Sequence, residues 1–153
     1  MDNYIFKSER LGFRNWSEND NFKMGKINSD PKVMEHFPSI PTQNQTNEFI
    51  DRMKTQFHKN GFCYFAVDKL DNNEFIGFIG IAEQTFESDF TPYMDIGWRL
   101  AQTEWGKGFA TEGAKKCLEF AFNEIGLNNI KSICPEVNNK SEKVMIKIGM
   151  KKI

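Results

Sequence analysis

The segment Trp105-Gly106-Lys107-Gly108 leads straight into a helical pattern, with Ala110, Ala114, Leu118, Ala121, Phe122 and Ile125 on one stripe. Two glycines ahead of a helix let an anion approach the backbone, and the helix N-terminus offers free N–H groups and roughly half a positive charge. Lys107 adds another. A tight turn without a ligand explains the glycines equally well, so the spacing alone leaves both readings open. Two phosphate-binding patterns are excluded. A P-loop needs Ser or Thr after its Gly-Lys, and Lys107 is followed by Gly108. A dinucleotide fingerprint read from Gly106 needs Gly or Ala where Thr111 stands, and an acidic residue near Asn129-Ile130-Lys131. Cys63, Cys117 and Cys134 are odd in number and far apart, as are His36 and His58, so neither a disulfide framework nor a metal site is expected. The cysteines read as small buried hydrophobes.

The elements that must position the glycine turn follow from periodicity and punctuation. Glu9 to Asn15 reads as a first strand, with Leu11 and Phe13 alternating against polar neighbours. Ser17 with Asp20 resembles a helix start, and Asp30-Pro31 is a second start signal. Thr42 opens a longer helix carrying Phe49, Ile50, Met53 and Phe57, which Gly61 stops. Phe62 to Leu70 and Phe75 to Ala82 form a hairpin about Asp71-Asn72-Asn73, and Tyr93 to Leu100 is a further strand. After the glycine turn come the helix ended by Gly126, a strand over Asn129 to Val137, a helix over Ser141 to Ile148 capped by Gly149, and the opening of one more strand. This order describes an α/β (α+β) domain around one sheet.

The 153 residues suit a single domain over 1–153, and 39% hydrophobic residues with 15 Phe can fill its core. A net charge of −1 argues against a nucleic-acid binder. No apolar run of about 18 residues and no signal-peptide core occurs, so a cytoplasmic, membrane-free protein is expected.

The run from Ile96 to Leu127, IGWRLAQTEWGKGFATEGAKKCLEFAFNEIGL, is followed by Asn138-Asn139-Lys140-Ser141 and Lys147-Ile148-Gly149-Met150. With Ser8 to Asp20 and Phe75 to Gly80, these segments resemble the GNAT superfamily of N-acetyltransferases. The nearest branch in appearance is that of the ribosomal-protein N-terminal (RimJ/RimL-like) acetyltransferases. The family signature (Gln/Arg)-x-x-Gly-x-(Gly/Ala) falls on Trp105 to Ala110, where Gly108 and Ala110 match and Trp105 departs.

The resemblance implies a mixed, mostly antiparallel sheet flanked by helices, with acetyl-CoA as cosubstrate and no metal. Strands Tyr93–Leu100 and Asn129–Val137 would splay apart to admit pantetheine. Gly106, Lys107, Gly108, Phe109, Ala110 and Thr111 would hold the pyrophosphate through their N–H groups, and Asn138 would contact CoA. An amine would attack the thioester directly, with Asp95 or Glu83 as base, the N–H near Leu100 stabilising the oxyanion and Ser141 serving the departing sulfur. Asp95 also fits a solvated strand residue, Ser141 the N-cap of the last helix, and Asn138 a turn residue.

From Glu83 to Glu104 five acidic residues face one basic, a net −4 beside the expected amine entrance. From Ile130 to Ile153 six Lys and two Glu give +4, expected near the CoA phosphates. Relatives continue past the Gly-Met step through closing strands, so missing C-terminal strands, an open sheet edge and a homodimer are further expectations. The acceptor reads as a protein N-terminus or a small amine. A non-catalytic acyl-CoA-binding regulatory module is the competing class, and a plain interaction domain that uses the sheet edge is a third.

Overall fold

The computed structural model describes residues 4–84, 93–127, 129–132 and 139–150. Five strands follow one another in the sheet in chain order, every neighbouring pair antiparallel: β1 (Phe6–Lys7), β2 (Leu11–Arg14), β3 (Tyr64–Lys69), β4 (Phe75–Gln84) and β5 (Tyr93–Leu100). Lys131 adds an isolated parallel bridge to Asp95. The expected strand over Asn129 to Val137 is therefore described only at its start. The mixed, mostly antiparallel expectation holds, and the two-residue β1 is an addition that its length hides from periodicity.

The β3–β4 hairpin forms where Asp71-Asn72-Asn73 marks the turn, with Asn73 in the left-handed region at φ 58°. Thr42 caps α2 (Gln43–Asn60) through a full capping box with Gln45, and Gly61 ends it at φ 83°. Helix α1 (Asn19–Asn28) starts where Ser17 and Asp20 signal it, but only half a box forms. Asp20 accepts from the Ser17 N–H at 2.8 Å and from its hydroxyl at 3.3 Å, so that hydroxyl is a donor rather than a cap. Asp30-Pro31 opens turns and no helix: Met34 N–H reaches Asp30 O at 3.1 Å and Phe37 N–H reaches Met34 O at 3.0 Å. Pro38 and Pro41 disfavour helical backbone at Phe37 and Ile40, which leaves too few residues to propagate.

One sheet face carries Leu11, Phe13, Phe65, Ile79, Ile81 and Ile96 under α3 (Phe109–Phe120). The contact is close because Gly113 faces Ile79; a Cβ there would stand 2.3 Å from its Cδ1. The buried stripe of α3 is Phe109, Gly113, Ala114 and Cys117, continuing to Ala121, while the expected Phe122 is 46% exposed. Phe122 lies past the edge of the stripe that Phe109, Gly113 and Cys117 set, and the helix ends in a π-helical turn over Ala121–Ile125. Gly126 caps it at φ 88° as its position suggested.

The opposite face packs Tyr64, Ala66 and Phe78 under α1 and α2, with Phe49 stacked against Tyr64 and tilted against Phe78. Trp16 ties in by donating from Nε1 to Tyr64 O at 2.7 Å. Burying such aromatic groups contributes about 25 cal/mol per Å² of apolar surface, the main stabilisation of this layer. Helix α4 (Asn139–Lys147) closes the described chain, with Gly149 at φ 91° just after it. No helix among the described residues is long and apolar enough to cross a membrane.

Candidate active site

The outer edge of β5 sets the site. Ala101 N–H bonds Ile76 O at 2.9 Å across the Gly77–Leu100 pair, so Leu100, Trp98, Ile96 and Met94 form non-hydrogen-bonded pairs with β4 and turn their N–H and C=O groups outward. Near the start of the strand these groups are filled. Lys131 N–H donates to Met94 O at 2.9 Å, and Ile96 N–H donates to Lys131 O at 2.8 Å. Ser132 Oγ donates to Ile96 O at 2.9 Å. Farther along, Trp105 Nε1 donates to Leu100 O at 3.0 Å. Between them the N–H and C=O of Trp98 and the N–H of Leu100 have no partner among the described residues.

That open stretch runs into the glycine turn. Gly106 and Gly108 sit at φ 76° and 83°, a region that disfavours any side chain. Gly108 is the N-cap of α3, and no side chain caps the helix. The first N–H to find a carbonyl is that of Glu112, on Gly108 O at 3.0 Å, leaving those of Gly106 to Thr111 without an acceptor among the described residues. Lys107, expected to add charge here, is engaged instead: its Nζ lies 3.2 Å from Glu104, whose carboxylate also holds Lys69 at 3.0 Å. Burial would raise the Glu104 pKa, but hydrogen bonds from Lys69 and Lys107 prevail and hold it below the usual range. Two other cations stand at the turn. Lys140 Nζ lies 4.2 Å from the centre of the Trp105 ring, and Arg10 lies 4.3 Å from that of Phe109. Trp105, which departs from the family signature, thus seats a lysine by its ring.

Beside the edge lies a cleft of about 210 Å³ whose lining includes Asp95, Ser132, Ser141, Tyr64, Trp98 and Arg99. Tyr64 donates its hydroxyl in a short hydrogen bond to Asp95 Oδ2, and Gln84 Nε2 donates to that hydroxyl at 2.9 Å. Burial, then the Asp95 charge, push the Tyr64 pKa well up, so the phenol stays a donor. Gly97 makes room for the ring; a Cβ there would stand 3.1 Å from Tyr64 Cε1. At the other end Arg99 Nη1 donates to Asn28 Oδ1 at 2.9 Å. Its guanidinium lies 4.6 Å from the Phe37 ring centre and 5.3 Å from that of Phe78. Its Nε is buried without a partner, and burial lowers the Arg99 pKa to about 10.

The structure brings Asp95 and Ser141 to this one cleft and leaves Glu83 out of it. Ala82 pairs with Asp95, so Glu83, one residue on, projects from the opposite face, where Asn60 Nδ2 donates to it at 3.3 Å. Ser141 is the third residue of α4, not its N-cap. Asn138 lies outside the described residues, as do Glu87, Asp89 and Cys134. Of the expected acidic patch, Glu104 is buried and paired, and Asp95 is bonded to Tyr64. Sequence reasoning missed Tyr64, Gln84, Ser132 and Arg99 as site residues. Their partners are long-range, and only the strand parity of Asp95, Gly97 and Arg99 signalled a shared face.

Comparison with known proteins agrees with this geometry. Residues 10–151 match the family of the acetyltransferase (GNAT) domain. The uncharacterized N-acetyltransferase YnaD of Bacillus subtilis is 29% identical over 146 residues, covering 95% of this chain and 81% of that protein. The crystal structure of a GNAT-family acetyltransferase from Bacillus anthracis superposes with a TM-score of 0.80 at 28% identity, over 95% of this chain and 82% of that one. In fold alone, RimL, a ribosomal L7/L12 alpha-N-protein acetyltransferase in complex with coenzyme A, is also similar, with a TM-score of 0.74 at 16% identity over 95% of this chain and 82% of that one. An outward strand edge continuing into partnerless N–H groups fits the amides and phosphates of the cosubstrate this family uses. The chain belongs to the GNAT family of acetyltransferases, N-acetyltransferases that carry an acetyl group from acetyl-CoA to an amine.

Proposed function

We propose that one domain spanning residues 1–153 acetylates a primary amine, on a protein N-terminus or a small molecule, by direct attack within a ternary complex. The observation that carries this reading is the continuity of the open β5 edge at Trp98 and Leu100 with the N–H groups of Gly106 to Thr111. Trp98 C=O and Leu100 N–H bind the pantetheine amides as a strand partner would. Gly106 to Thr111 take the pyrophosphate, helped by the dipole of α3 and by Lys140 at the Trp105 ring. Asn138 contacts CoA.

Acetyl-CoA, when bound, supplies an acetyl carbon activated by a thiol leaving group, and thiols of this kind ordinarily ionise at about pH 8.5. Asp95 accepts the proton that the attacking amine must lose, directly or through water. Tyr64 fixes the orientation of that carboxylate by its hydrogen bond. Trp98, whose outward N–H is nearer Asp95 and farther from the glycine turn, donates it to the thioester oxygen as charge builds there. Leu100, about 17 Å from Asp95 along the strand, is too far from that base for the oxyanion role expected of it. The new C–N bond forms as the C–S bond breaks, and the sulfur leaves as a thiolate that accepts a hydrogen bond from the Ser141 hydroxyl and takes its proton from water.

Calorimetric titration with acetyl-CoA, free CoA and AMP, followed by turnover with an amine panel, tests the reading. Acetyl-CoA and CoA are expected to bind where AMP does not, with amine-dependent CoA release following. Absence of binding to the folded chain overturns the cleft assignment. Binding without turnover of any amine replaces it with a non-catalytic acyl-CoA-binding module.

A further inference from the structure

We infer that the acceptor carries an anionic group, a carboxylate or a phosphate, remote from its amine, and that Arg99 binds it; the inference rests on the reading of Asp95 as the amine end of the cleft. Among the described residues Arg99 is a cation without a counter-ion. No carboxylate among the described residues lies within ion-pair distance of it. Its one hydrogen-bond acceptor is the neutral Asn28 carbonyl, and Nε is sealed from solvent with nothing to bond. Burying a guanidinium this way is costly, and a cation so placed gains most from an anion that arrives with a ligand. Even with its pKa lowered to about 10 the group remains charged at neutral pH. It lines the same cleft as Asp95, and its aromatic walls, Phe37 and Phe78, displace water that would otherwise screen an incoming anion.

The spacing makes the recognition directional. Asp95 and Arg99 share one sheet face with Gly97 between them, four residues or about 13 Å apart along the strand. Asp95 attracts an ammonium and repels an anion; Arg99 does the reverse. A ligand with opposite charges at its two ends is held in one polarity, amine toward the acetyl group. An α-amino acid is too short to reach both. A short peptide whose acidic residue lies third from its N-terminus has the required reach, as does a long ω-amino carboxylate.

Matched acceptors test this: Ala-Ala-Asp-amide against Ala-Ala-Asn-amide, and an ω-amino carboxylate against its primary amide. Each is measured for turnover and for binding to protein saturated with CoA. A charge-assisted bond to Arg99 is expected to favour the anionic member about ten- to a hundredfold. Arg99→Met should erase the ratio and Arg99→Lys restore part of it. A preference in one pair alone supports the inference and names the source of the anion. No preference in either pair overturns it. So does an Arg99→Met variant that keeps the ratio but binds acetyl-CoA more weakly, since the anion then belongs to the cosubstrate. Anionic amines that bind through Arg99 without being acetylated sustain this inference and overturn the catalytic one.

Discussion

Arg14 and Arg99 stand on the same face of the sheet, three strands apart, and have opposite surroundings. Arg14 forks onto two carboxylates, Asp20 at 2.7 Å and Asp68 at 2.8 Å, with Tyr4 completing Asp68. Burial alone would lower its pKa, but the hydrogen bonds and charges of Asp20 and Asp68 raise it. Arg99 has burial without that compensation, and its pKa falls. Helix α1 serves both, giving Asp20 from its first turn to one and Asn28 from its last to the other. The difference separates a cation that folding has satisfied from one that awaits a ligand.

The largest expected effect comes from breaking the satisfied cation. Arg14→Met leaves Asp20, a 1% exposed carboxylate, without its cation and should cost about 3–5 kcal/mol. That corresponds to a fall of roughly 10 °C in melting temperature for a chain of this size. The pH dependence has a definite sign. Burial raises the Asp20 pKa, but Arg14 and Ser17 outweigh it and lower it below 3.8, so this stabilisation is present above about pH 4 and is lost as pH falls further. Acid and neutral melts should therefore show the gap between wild type and Arg14→Met narrowing below pH 4.

The second contrast is between the two candidate carboxylates. Asp95→Asn removes the proton acceptor and should lower kcat by about 10²- to 10⁴-fold. Acetyl-CoA affinity should hold. Glu83→Gln, on the far face, should keep kcat within about twofold, since its carboxylate bonds Asn60 and does not line the cleft. Steady-state rates with a shared acceptor decide it, and equal losses in both variants would refute the facial assignment.

A smaller effect is expected at the glycine turn. Gly108→Ala places a Cβ on a residue at φ 83°, a strain of about 1–2 kcal/mol. The turn can relieve it only by rotating its N–H groups, so the acetyl-CoA dissociation constant should rise by roughly tenfold while kcat at saturation changes little. Gly106, where a Cβ would meet nothing within 4 Å, carries strain without collision and should respond alike.

How much of this was legible in the sequence depends on range. The Thr42 cap, the hairpin at Asn73 and the glycine turn are local, and each is fixed by a few neighbouring residues. Asp30-Pro31 carried a valid local signal that downstream prolines overrode. The stripe on α3 was misphased because Gly113, at its centre, has no apolar side chain for spacing to register. The Asp95–Tyr64 bond spans 31 residues and Arg99–Asn28 spans 71, so no periodicity could announce them. Arg99 within YMDIGWRL read only as the one basic residue of an acidic stretch.

The smallest expected effect closes the comparison of the two arginines. Arg99→Met in the unliganded protein loses the Asn28 bond, worth about 1 kcal/mol, and two ring contacts of about 0.5–1 kcal/mol each. It also removes a buried cation whose Nε has no acceptor, a gain of similar size. Methionine is flexible enough to fill the slot between Phe37 and Phe78. The net change should stay within about 1 kcal/mol, against about 3–5 kcal/mol for the same substitution at Arg14. Denaturant titration of the two variants measures that gap. A loss at Arg99 as large as that at Arg14 would mean its charge is already compensated in the fold, leaving none of it for an acceptor.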